Sequence, residues 1–107
     1  MEQATTTAKP KRAPRKVDPL AKLLNEVKAE MGRVGTTTTT PAFRRQSHDG
    51  RAAAWGREYA KTGSLDALLL SLAFEVGAST ALEVRYSLVQ LAAAALAEVE
   101  RIDKAGR

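Results

Sequence analysis

Leu20, Leu23, Leu24, Val27 and Met31 recur at the three- and four-residue spacing that lines one face of an α-helix. Asp18 and Pro19 stand just before them, an acceptor suited to the N-cap and a residue whose fixed φ suits the first helical position. A helix is therefore predicted over 18–32, closing near Gly32 or Gly35. From Gly35 to Ser47 the pattern disappears, because a run of threonines followed by Pro41 disfavours helix and shows no alternation of apolar and polar positions. That stretch reads as a linker. A second helix is predicted over 50–61, with Ala52, Trp55 and Tyr59 on one face, Gly56 weakening it, and Thr62 and Gly63 ending it.

The last third carries the strongest pattern. Ser64 can cap a third helix, with Asp66 in its first turn and Leu65, Leu68, Leu69, Leu72, Ala73 and Val76 forming a broad apolar face, and Gly77 suits its C-cap. Thr80 and Glu83 have the spacing of a capping box opening a fourth helix, which runs to about Asp103 through Leu82, Val89, Leu91, Ala92, Leu96, Val99 and Ile102. Apolar residues cover more than half its circumference, so it is expected to be the central helix or to lie in a subunit interface.

Composition narrows the fold class. The chain is 44% apolar but only 5% aromatic, so its core must come from Leu, Val and Ala, a mixture that suits packed helices better than sheets. The expected fold is all-α, a small helical bundle of about four helices with a disordered basic N-terminal arm. Residues 1–17 form that arm, since apart from Met1 and Val17 they offer nothing apolar larger than alanine to offset ordering entropy. Residues 18–34 form the first amphipathic helix, 35–48 the threonine-rich linker, and 49–107 the main helical region. A region this small buries a modest fraction of its surface, which makes self-association an expected source of stability.

Charge is unevenly spread. Residues 1–16 carry five basic side chains against one acidic, residues 17–62 eight against five, and residues 63–107 four against six. The basic character thus belongs to the arm and the middle. Cysteine is absent, which excludes disulfides, thiolate metal sites and thiol nucleophiles. Nothing at the N-terminus reads as a secretory signal, and Leu88 to Val99 falls short of the roughly 20 apolar residues a membrane span needs. The expected location is cytoplasmic, with no membrane partner.

From Tyr59 to Asp103 the chain resembles the all-α nucleoside triphosphate pyrophosphohydrolases, in particular the short MazG-like proteins of actinobacteria and their phages. The likeness rests on the Gly-Ser-Leu helix start at 63–65, on Leu-Ala-Phe-Glu-Val-Gly-Ala at 72–78, and on Ser-Leu-Val-Gln-Leu-Ala-Ala-Ala-Ala-Leu-Ala at 87–97 followed by Val-Glu-Arg-Ile-Asp at 99–103. In that family one helix carries E-E-x-x-E and the next E-x-x-D or a close variant, and the facing carboxylates hold magnesium on a nucleotide triphosphate. Residues three or four apart share a helix face, so two such pairs can converge on one hard cation. The metal offsets phosphate charge and lowers the pKa of an attacking water.

Laid onto this chain, the first motif falls on Phe74, Glu75 and Ala78, and the second on Ser87 and Gln90. One carboxylate and one amide do not make a magnesium cage. The resemblance therefore implies a degenerate member of the family, with Glu75 as a residual metal ligand and no catalytic residue. An active magnesium-dependent pyrophosphohydrolase with an atypical site is the first alternative, drawing on Asp66, Glu83 or a partner subunit's side chain.

Lys9, Lys11, Arg12, Arg15 and Lys16 are the candidate nucleic-acid contacts, because closely spaced cations displace counterions from a phosphate backbone. No aromatic residue interleaves them, so binding is expected to be salt-sensitive and indifferent to sequence. A second alternative discards the family and treats the chain as a small basic nucleic-acid-binding protein, with Arg44, Arg45, Arg51 and Arg57 extending the positive surface. Trp55, Tyr59, Val89 and Leu96 are the expected core or oligomer anchors, and the expected partners are nucleic acid and either a second copy or another helical protein. His48, the only histidine, reads as a loop residue, and Glu98, Glu100 and Arg101 as a charged helix end.

Overall fold

The computed structural model describes residues 18–106. The expected contacts of the arm, Lys9 to Lys16, lie outside the described residues. Four helices and no strand make up the described chain: α1 (Pro19–Met31), α2 (Ala42–Thr62), α3 (Leu65–Ala78) and α4 (Val84–Ala105). The fold class is all-α, and the chain divides into two compact units at Gly32 and Arg33.

In the first unit, the Asp18 carboxylate accepts from the Leu20 amide at 3.1 Å, and Pro19 occupies the first helical position where its missing N–H costs nothing. α1 ends at Gly32. Leu23 is its buried residue, while Leu20, Leu24 and Met31 remain exposed.

The second unit departs from the predicted linker. α2 starts at Ala42, so Phe43 to His48 are helical and the linker expected over 35–48 closes at Pro41. Pro41 ends the extended run with φ −58° and ψ 142°, and the Arg44 amide bonds its carbonyl at 3.0 Å. The Arg45 guanidinium donates to the Thr40 carbonyl at 2.9 Å, tying the segment to the first turn. Apolar periodicity missed these turns because Phe43 faces solvent and their inward-facing positions are Arg45 and His48.

Gly63 closes α2 in the left-handed conformation, φ 68°, with its amide on the Tyr59 carbonyl at 2.8 Å. A turn of two residues then returns the chain as α3, which makes α2 and α3 antiparallel neighbours. Ser64 does not cap α3 with its side chain; its hydroxyl lies 3.2 Å from Thr62 Oγ1, whose own hydrogen goes to the Glu58 carbonyl at 3.0 Å. Gly77 is not the C-cap either: α3 continues to Ala78 and is ended by Ser79 in an extended conformation. Half of the expected capping box forms, with the Glu83 carboxylate accepting the Thr80 amide at 3.1 Å, and α4 opens one residue later.

α3, not α4, is the central helix. It packs against both α2 and α4, and these two do not pack on each other. Of the two places expected for α4, the centre is therefore taken by α3, and much of α4's apolar circumference is bare: Leu88, Val89, Val99 and Ile102 are all exposed. The interior is made of small residues. Ala52 of α2 and Ala67 of α3 are the buried apolar residues of this unit, and no large side chain is fully buried among those described. The four expected anchors fit that pattern, since Tyr59 and Val89 are exposed and Trp55 and Leu96 only half-buried. Among the described residues, no helix is long and apolar enough to cross a membrane.

Candidate functional site

An open cleft of about 860 Å³ runs along α3, walled by Asp49, Ala52 and Gly56 of α2, by Ser71, Leu72, Glu75 and Ala78 of α3, and by Leu82, Tyr86, Ser87 and Gln90 beyond it. Helical spacing assembles it. Ser71, Glu75 and Ala78 recur at four and three residues on α3, and Ser87 and Gln90 stand three apart on α4. Glu75, Ala78, Ser87 and Gln90, four of the five motif positions named above, therefore line one space.

Phe74 is the exception. It turns toward α2, where the His48 ring stacks on it with centroids 5.7 Å apart and the Arg51 guanidinium lies 5.9 Å from its ring centre. His48 is thus a helical packing residue, against the loop reading, and its buried Nδ1 has no hydrogen-bond partner. Gly77 lies under the same ring. This cluster was invisible in one dimension, because it depends on the α2–α3 register.

The cleft's polar groups are largely engaged with one another. Ser79 and Ser87 are both buried, and their hydroxyl oxygens are 2.7 Å apart. Ser79 Oγ donates to the Glu75 backbone carbonyl at 2.7 Å. A serine hydroxyl has one hydrogen, so Ser87 must donate to Ser79, giving a relay from α4 through Ser79 to the end of α3. Gln90 Nε2 donates to the Tyr86 hydroxyl at 3.3 Å, and Glu83 is taken by the Thr80 amide.

Replacing Ser87 by alanine is expected to leave the Ser79 oxygen without its donor and to cost about 1 kcal/mol, and Ser79→Ala, which breaks both bonds, about 1–3 kcal/mol. Urea denaturation followed by helical circular dichroism measures both. Equal stability of all three proteins would remove the relay as a structural tie.

Glu75 is exposed at the cleft wall. Among the described residues, no group of three His, Asp or Glu side chains converges as a metal-binding set. Asp49 and Glu83 line the cleft besides Glu75, with Glu83 held by the Thr80 amide, so the carboxylates present are not gathered into the multi-carboxylate set that the resemblance implies. Asp66 belongs elsewhere, on a smaller hollow with Trp55, Glu58 and Ser64.

The arginines proposed as a positive surface are dispersed. At roughly 100° per residue, Arg44 and Arg51 share one flank of α2, Arg57 points well away from them, and Arg45 turns inward to Thr40. At the helix end, Arg101 pairs with Glu98, whose hydrogen bond and then charge hold the guanidinium pKa above its ordinary value.

No protein-family model, curated protein or solved structure matches this chain.

Proposed function

We propose that this chain is a MazG-like helical protein that has lost catalysis and acts by binding, its helical core assembling with another chain and its basic arm contacting nucleic acid. One observation carries the loss of chemistry. At the cleft lined by four motif positions, Glu75 is the one motif carboxylate, and the Ser87 hydroxyl is spent on Ser79. Asp49 and Glu83 also line the cleft, but among the described residues no three acidic or histidine side chains converge to hold the cation that a triphosphate's charge would need. The assembly half of the reading is supported by exposed Phe43, Leu82, Tyr86 and Ile102 beside an interior built on two alanines. The nucleic-acid half is supported by the five cations of residues 9–16.

The test uses the full chain. With magnesium and each nucleoside triphosphate, no pyrophosphate release above the buffer rate is expected. Magnesium-dependent release abolished by Glu75→Ala would overturn the reading in favour of the enzyme. Duplex DNA binding, followed by fluorescence anisotropy, is expected to weaken on the order of 10²–10³-fold between 50 and 200 mM salt if about five phosphates are neutralised. Deleting residues 1–16 is expected to abolish it, and binding unchanged by that deletion would remove the arm from the mechanism.

A further inference from the structure

α4 carries an exposed stripe with coiled-coil spacing. Leu88, Ala92, Ala95, Val99 and Ile102 follow one another at steps of four, three, four and three residues, the alternation of core positions in a heptad repeat. Leu88, Ala92, Ala95, Val99 and Ile102 are all exposed, and the face of α4 that meets α3 is a different one, marked by buried Ser87 and half-buried Leu91 and Ala94. Exposed Val89 and half-buried Leu96 widen the stripe along one edge. Arg85 lies one heptad step before it and Asp103 beside its far end.

We infer that this stripe is the seam of a homodimer, in which α4 packs antiparallel on α4 of a second copy. The inference rests on the reading that the helical unit assembles, and adds the surface, the partner and the orientation. Charge selects both partner and direction. In the antiparallel pair Ala92 faces Ala95 of the partner subunit, Leu88 faces Val99 of the partner subunit, and Arg85 reaches Asp103 of the partner subunit at both ends. A parallel pair would set Arg85, in step with the core positions, against Arg85 of the partner subunit, like charges in contact. Opposed helix dipoles favour the same arrangement. The two central alanines let the axes approach to about 8 Å, the short end of helix packing distances, while Leu88 and Val99 fill the layers on either side. Val89 and Leu96 then meet each other across the pair along one flank.

The chain has no cysteine, so single-cysteine variants report the geometry cleanly. The full-length Leu88→Cys protein is mixed with the full-length Val99→Cys protein under mild oxidation. The expected product is a mixed disulfide that neither protein forms alone, because positions 88 and 99 are opposite each other whereas two copies of position 88 lie about 16 Å apart along the axis. A disulfide forming within either variant alone would overturn the antiparallel seam. In sedimentation at micromolar concentration the wild type is expected to be a dimer, and Leu88→Glu to raise the dissociation constant about 100-fold or more, since the symmetric pair buries two unpaired carboxylates. Helical circular dichroism of that variant checks that it still folds, and Val99→Glu provides an independent replicate. A wild-type monomer overturns both this seam and the assembly it rests on. A dimer unaffected by Leu88→Glu and Val99→Glu overturns the seam alone and leaves assembly through another surface.

Discussion

Ala67→Leu is expected to destabilise the α2–α4 unit by about 2–3 kcal/mol, lowering its thermal midpoint by about 10–20 °C. Ala67 is fully buried, at 0% exposure, on the central helix of the unit. It also lies seven residues before Phe74, on the side of α3 that meets His48 and Arg51 of α2. A leucine there adds three carbons where no solvent reaches. The helices must separate or the side chain must adopt a strained rotamer, and separation would also loosen the ring stack between His48 and Phe74. Ala67→Gly is the informative control, since it creates no overlap and costs about 1 kcal/mol through helix propensity alone. Leucine worse than glycine shows that close approach is the constraint. A leucine variant as stable as the wild type would mean that α2 and α3 are not held together at this residue.

The small size of these interior residues also explains which parts of the fold were legible in the sequence. α1 was readable at both ends, because Asp18, Pro19 and Gly32 are local signals whose chemistry needs no tertiary partner. The turn at Gly63 was readable for the same reason. The first two turns of α2 were not. Their inward-facing side chains are a guanidinium bonded to a carbonyl and an imidazole stacked on a phenyl ring, neither of which counts as apolar in a periodicity. The sequence left α4 either central or in a subunit interface because an apolar circumference has the same signature whether it is covered by the chain itself or left bare. Coverage is a property of the packed unit, and α4 leaves Leu88, Val89, Val99 and Ile102 bare.

The candidate site divides along the same line. Convergence of Glu75, Ala78, Ser87 and Gln90 on one cleft follows from spacing on two successive helices, so it could be anticipated. The relay of Ser87 to Ser79 could not, since no pattern in the sequence singled out Ser79 and its burial depends on the path from α3 to α4. Phe74 was read as a lost carboxylate. In the structure its phenyl ring receives His48 and Arg51 and ties α3 to α2.

That contact supports a second large effect, one whose sign depends on the partner residue. Gly77 sits inside α3, where glycine costs about 1 kcal/mol relative to alanine in an unconstrained helix. Here a Cβ would stand 2.8 Å from His48 Cδ2 and 3.0 Å from Cγ. The imidazole cannot swing clear without leaving the face of Phe74, so Gly77→Ala is expected to destabilise the protein by about 1–3 kcal/mol despite the better helix former. With His48→Ala the obstruction is gone and the propensity term alone remains. In that background Gly77→Ala is expected to stabilise by up to about 1 kcal/mol. The four proteins of this double-mutant cycle, compared by urea denaturation, should therefore show coupling of about 2 kcal/mol or more and a reversal of sign. Additive effects would mean that the α2–α3 register does not bring His48 over Gly77, and with it would go the assignment of His48 as a packing residue of α2.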